Sequence, residues 1–230
     1  MSEISKPAQA IVWGGLGLLI AVIAAAYVRT ELLRPPAPIE ITNLEGHPVD
    51  SPDSSGLPVL STISNFSLTN QFGKVVSRAN LDGAPWVADI IFTRCPSICP
   101  QMSFQMGRVQ EALGPGNPVR LVSITTDPEF DTPEVLKAYG ERFSAIPGQW
   151  HFLTGDTSAI HSIIKNDLKL IAFEKPEEER ASINDLYNHS VLFAIMDKQG
   201  RMRRVLHAND TNINVIEEIV ATVSKLHQAD

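Results

Sequence analysis

The strongest constraint on the fold lies at residues 86–92, Trp-Val-Ala-Asp-Ile-Ile-Phe, an apolar run broken by a single carboxyl. Apolar side chains fill both alternating sets of positions, so as a strand this run has both faces covered. Such a strand belongs inside a sheet with helices on each side, which makes the chain α/β. Thr93 and Arg94 follow, then Cys95-Pro-Ser-Ile-Cys99-Pro, which holds the only two cysteines among 230 residues.

Thiols this close act as a pair, closing a small disulfide or holding a soft metal ion. A purely structural disulfide is the weaker reading, because closing so short a loop gains little. Pro100 fits the first position of a helix over 101–113, which makes Cys99 its N-cap. Exposed amides and the positive helix end at that place favour thiolate, and with it metal binding and nucleophilicity.

The flanking sequence supports a βαβ arrangement. Residues 65–69 and 74–77 read as a hairpin over Asn70-Gln-Phe-Gly73, and 119–125 as a second apolar strand. The helix over 101–113 is stopped by Gly114-Pro-Gly116. Thr132 and Pro133 open another helix, with Val135, Leu136, Tyr139 and Phe143 on its apolar face. A further helix after Asp156 uses Ile160, Ile163, Ile164 and Leu168. Residues 191–196 and 202–206 form a closing hairpin, and a helix over 212–227 buries Ile213, Ile216, Ile219, Val220 and Val223. The thiols then sit at the C-terminal end of a central strand, where such sheets place their sites.

The amino-terminal part is of another kind. Behind a short tail (1–9), residues 10–28 carry no charge, and 19 residues at a helical rise cover about the 30 Å of a bilayer core. This run reads as a transmembrane anchor; a signal peptide cut near Ala24-Ala25-Ala26 is the alternative. Residues 29–60 hold six prolines among Ser, Asp and Gly and read as a semi-extended tether, leaving 61–230 as the folded domain. The formal charge of -7 argues against nucleic-acid binding. A thiol pair behind an anchor suits an oxidising compartment, and Glu3 with few basic residues argues against a mitochondrial presequence. The expected location is a bacterial inner membrane, single-pass, with the domain in the periplasm.

At this point the residues resemble a family. The stretch 92–100, Phe-Thr-Arg-Cys-Pro-Ser-Ile-Cys-Pro, resembles the F-T-x-C-P-x-x-C-P core of the Sco/SenC proteins. Residues 127–133, Asp-Pro-Glu-Phe-Asp-Thr-Pro, resemble their D-P-x-x-D-T-P segment, and Asn188-His189-Ser190 their single histidine before an apolar strand. Asn188 departs from the acid often found beside that histidine. The resemblance implies a thioredoxin-like fold, with a central mixed β-sheet flanked by helices behind the transmembrane helix. It also implies copper, as Cu(I) or Cu(II), on Cys95, Cys99 and His189. The implied role is a metallochaperone delivering copper to the dinuclear copper site of cytochrome c oxidase. Its partners would be the copper-bearing oxidase subunit and a protein that keeps the thiols reduced.

Two rivals use the same residues. One is an enzyme, a thiol-disulfide oxidoreductase acting on the oxidase cysteines; the other is a redox or copper sensor. Asp89, six residues before Cys95, matches the position of the buried acid in thioredoxin and as such would relay protons during thiol exchange; an acid at a partly open strand position is the alternative. Asp127 and Asp131 read as shaping the turn around Pro128 and Pro133, Met102 and Met106 as core, and 177–179 as a solvated acidic loop. His47, His151, His161, His207 and His227 lack a partner motif, and no phosphate loop, GxSxG or HExxH is present.

Overall fold

The computed structural model describes residues 54–168, 173–174, 187–188 and 191–229. The chain divides into Met1–Glu40 and Ile41–Asp230, and every described residue belongs to the second unit. The apolar run at 10–28 and the tether up to residue 53 therefore lie outside the described residues. Among the described residues no helix is long and apolar enough to cross a membrane.

The strands are β1 (Ser61–Thr62), β2 (Ser67–Asn70), β3 (Val75–Ser77), β4 (Trp86–Ile91), β5 (Arg120–Thr125) and β6 (Trp150–Thr154). β9 (Leu192–Met196) and β10 (Arg201–His207) complete one sheet, while β7 (Phe173–Glu174) and β8 (Tyr187–Asn188) pair separately. The sheet has eight strands in the order β1-β10-β9-β4-β5-β6-β2-β3. β4 pairs parallel with β5 and antiparallel with β9, and β5 pairs parallel with β6, so the sheet is mixed around a parallel centre. The helices are α1 (Arg78–Leu81), α2 (Ile98–Leu113), α3 (Pro133–Arg142), α4 (Thr157–Ser162) and α5 (Val215–Gln228), with a π-helical turn at Ile163–Asp167.

Alternation along β4 explains the two-layered core. Val87 and Ile91 face one cluster, with Met102, Met106 and Val109 of α2, Leu136 and Tyr139 of α3, and Ile219 and Val223 of α5. Trp86, Ala88 and Ile90 face the other, with Ile160 of α4 and Ile163 and Ile164 of the π turn. Each large apolar side chain so buried stabilises the fold by about 1.5–3 kcal/mol. The crossover helices α2 and α3 thus cover the same face of the sheet, which is the face that also receives Asp89.

Four local features depart from the sequence reading. α2 begins at Ile98 with Ser97 as N-cap, so Pro100 is its third residue and Cys99 lies inside the first turn rather than capping it. A proline is tolerated there because the first-turn amides have no intrahelical acceptor anyway. β6 forms from Trp150, Phe152 and Leu153, all fully buried, where no strand was expected. α4 widens into the π turn that carries Ile163 and Ile164 inward. The end of the tether is not a free spacer: Ser55 is buried, and Leu57 packs against the core. Arg203, itself buried, donates to the Pro58 carbonyl (3.1 Å), the Leu57 carbonyl and Ser55 Oγ (3.0 Å), and pairs with Asp197 at 2.9 Å.

Candidate metal centre

β4 ends at Ile91, and the chain turns through Phe92–Cys95, closed by the Cys95 amide donating to the Phe92 carbonyl at 3.1 Å. α2 then starts three residues after Cys95. This turn brings the two sulfurs to the same place: the Cys99 amide donates to Cys95 Sγ at 3.4 Å. One first-turn amide of α2 is therefore satisfied by a sulfur, and the positive end of the helix is directed at Cys95. No disulfide joins the two thiols. Both are buried, Cys95 at 5% and Cys99 at 1% exposure, while Pro96 and Ser97 between them are exposed.

The expected thiolate character does not extend to Cys99. Its thiol is pushed strongly up, first by the contact with Cys95, then by burial and by the neighbouring Cys95 and Asp89 charges. The helix end serves Cys95 instead, because α2 begins earlier than its prolines suggest.

Asp89 lies on the same sheet face as Val87 and Ile91, beneath this pair, and is fully buried. Neither carboxyl oxygen has a hydrogen-bond partner among the described residues. Burial pushes its pKa from 3.8 up to about 7, with Ser123, its register partner on β5, pulling the other way. Ser123 Oγ meanwhile accepts from the Trp150 indole at 3.0 Å. Asp89 is thus a buried acid, as expected, that titrates near neutrality.

Sequence reasoning missed Tyr139 and Ser103. Tyr139 was placed on an apolar helix face, yet its hydroxyl meets Ser103 Oγ at 3.0 Å. Its phenol is held up by burial, and further raised by the charges of Cys99, Asp89 and Cys95. A polar tip on an otherwise apolar stripe was the available signal. Met102 and Met106 are core, as read.

His189 and the acidic run 177–179 lie outside the described residues. Among the described residues no group of three or more His, Cys, Asp or Glu is placed to hold a metal. His161, His207 and His227 are exposed, and His151 is half-buried on β6. Two adjacent sulfurs are donors of the kind that a soft ion such as copper takes.

The SCO1/SenC family model matches residues 42–224. The chain belongs to the SCO1/SenC family. It is 35% identical over 147 residues to the SCO1 protein homolog of Bacillus subtilis, covering 63% of this chain and 73% of that one. The copper-bound structure of Bradyrhizobium japonicum ScoI superposes with a TM-score of 0.59 at 28% identity, over 72% of this chain and 99% of that one. BsSco, a member of the Sco family of cytochrome c oxidase assembly proteins in which a disulfide switch has been identified, gives 0.62 at 31% identity. That match covers 73% of this chain and 94% of BsSco. The mixed sheet with flanking helices is the thioredoxin-like fold of these Sco structures.

Proposed function

We propose that this protein is a membrane-tethered copper metallochaperone. Cys95, Cys99 and His189 hold copper, and the ion passes to the copper-bearing subunit of cytochrome c oxidase. The observation that carries this reading is the pair of buried cysteines brought together at the end of β4, in a family whose solved members include copper-bound forms. Two sulfurs suit Cu(I), and adding an imidazole nitrogen suits Cu(II). His189 is separated by three peptide units from Leu192, a span of at most about 11 Å. β9 runs antiparallel to β4 with Ala194 opposite Ala88, so Leu192 starts the strand toward the thiol end.

Transfer by ligand exchange needs no change of oxidation state. Each sulfur leaves the ion as a donor of the recipient replaces it, and any proton the sulfur regains comes from solvent. A disulfide cannot bind the ion, so a thiol reductant protein is required beforehand. The anchor at 10–28 would hold the domain at a bacterial inner membrane, facing the periplasm.

The test is titration of the reduced, copper-free protein with Cu(I) and with Cu(II), using wild type and His189→Ala. Loss of at least about tenfold in Cu(II) affinity on losing the imidazole is expected, by analogy with the sensitivity of metal sites to altered coordination. Wild-type protein that binds neither ion, or a variant that binds both as well as wild type, ends the proposal.

One observation favours a second reading, a thiol-disulfide oxidoreductase. Asp89 is an unpartnered buried acid poised near neutrality under the thiols, suited to passing a proton during exchange. In that case Asp89→Asn slows disulfide exchange and leaves copper affinity nearly unchanged. Equal exchange rates for the two proteins remove this reading.

A further inference from the structure

The loop after β4 does not hold its shape alone. Asp131, fully buried, accepts the Thr93 amide at 3.1 Å, the Thr93 hydroxyl at 2.5 Å and the Thr125 hydroxyl. Four residues earlier, Asp127 accepts Arg94 Nε at 2.9 Å and Nη2 at 2.6 Å, while the Arg94 guanidinium lies 4.4 Å from the centre of the Phe130 ring. Thr93 and Arg94 are the two residues immediately before Cys95. Thr93 is bonded to the buried Asp131 and the partly exposed Arg94 to the buried Asp127, so both are held by residues 127–131.

Asp131 sits next to a helix start, but capping is not its work. Thr132 caps α3, its side chain accepting the Val135 amide at 3.4 Å. Every side-chain bond that Asp131 makes runs instead to the ends of β4 and β5. A carboxylate receiving three donors in a buried place is a directional fixture: Oδ2 takes the Thr93 amide and the Thr125 hydroxyl, and Oδ1 takes the Thr93 hydroxyl, bonds that a neutral amide makes more weakly and with one hydroxyl reversed.

We propose that Asp131 is a positioning residue for the Cys95–Cys99 pair, holding Thr93 so that the turn delivers Cys95 Sγ to the first turn of α2. Its consequence for copper rests on the metallochaperone reading; its consequence for the thiols does not. Fixed backbone next to a donor atom lowers the reorganisation needed to hold an ion, and lost support of this kind costs about 10–100-fold in affinity.

The experiment uses the full chain as wild type, Asp131→Asn, Thr93→Val and the double variant. Thr93→Val removes only the hydroxyl bond and serves if Asp131→Asn folds poorly. Three quantities are read: the dithiol–disulfide equilibrium against glutathione, Cu(I) affinity by chelator competition, and urea unfolding. In the first, two protein thiols become a disulfide as glutathione disulfide takes two electrons and two protons to give two thiols. Each single variant should move this equilibrium toward the disulfide by about tenfold, which is about 30 mV. Each should weaken Cu(I) by about tenfold, and the double variant should match Asp131→Asn, because the bond lost in Thr93→Val is one of those that Asp131 itself makes. An equilibrium within about twofold of wild type in both singles, whatever the unfolding shows, overturns the proposal. A shifted equilibrium in a protein that never bound Cu(I) leaves the positioning role standing and removes the copper reading.

Discussion

Replacing Asp89 by Asn should remove most of the pH dependence of stability around neutrality. The carboxyl is fully buried, has no hydrogen-bond partner among the described residues, and is raised from 3.8 to about 7. Below about pH 4 it is protonated in both folded and unfolded chains and contributes no difference. Between about pH 4 and 7 the folded protein keeps the proton that the unfolded chain has lost, so stability falls as pH rises. Above about pH 7 the penalty is complete, and a displacement of this size corresponds to about 4 kcal/mol. Asparagine carries no charge at any of these values, so Asp89→Asn should equal wild type near pH 4 and exceed it by up to about 4 kcal/mol near pH 8. Urea unfolding of the reduced, metal-free proteins across this range measures the difference directly. Two stability curves that run parallel would show that Asp89 keeps its ordinary acidity, and the argument from burial would be wrong.

Two further outcomes follow from packing. Arg203→Met should cost about 3 kcal/mol, since it leaves buried carbonyls and Asp197 short of a donor, although Arg201 still holds Asp197 at 2.7 Å. Urea unfolding and faster proteolysis at residues 54–60 check it; a loss below about 1 kcal/mol with an uncut strap refutes it. Gly140→Ala should lower the thermal midpoint by about 3–6 °C, even though alanine favours helix. Its Cβ would stand 2.8 Å from Phe152 Cε2, and that ring is stacked on Trp150 at 4.9 Å. An unchanged or raised midpoint in a thermal scan refutes the clash.

What the sequence disclosed were features set by neighbours along the chain. The period of β4, the Thr132-Pro133 start of α3 and the two closing strands all follow from local alternation or capping, and the structure has them within one residue at their ends. α2 begins three residues before its expected start because a proline marks the first turn of a helix, not its first residue. β6 escaped because His151 interrupts a five-residue stretch whose partners, Leu121 to Ile124 on one side and Thr69 and Asn70 on the other, are distant in sequence.

The candidate site divides along the same line. Cys95 and Cys99 could be paired from spacing alone, since so short a separation leaves the two side chains as neighbours whatever the local backbone does. The supports of that pair come from 33 to 38 residues away, as Arg94 with Asp127 and Thr93 with Asp131, and no local pattern announces them. Asp127 and Asp131 looked like turn formers because Asp beside Pro usually is one, and their backbone bonds do close that turn, with the Asp131 amide on the Asp127 carbonyl at 2.9 Å. The side chains were therefore left over for a second task. In a sheet of this kind the loops after adjacent parallel strands emerge side by side, so an acid after β5 is the nearest group able to grip the backbone leaving β4. A carboxylate two to six residues beyond a central strand is thus better read as support for the neighbouring loop than as punctuation of its own.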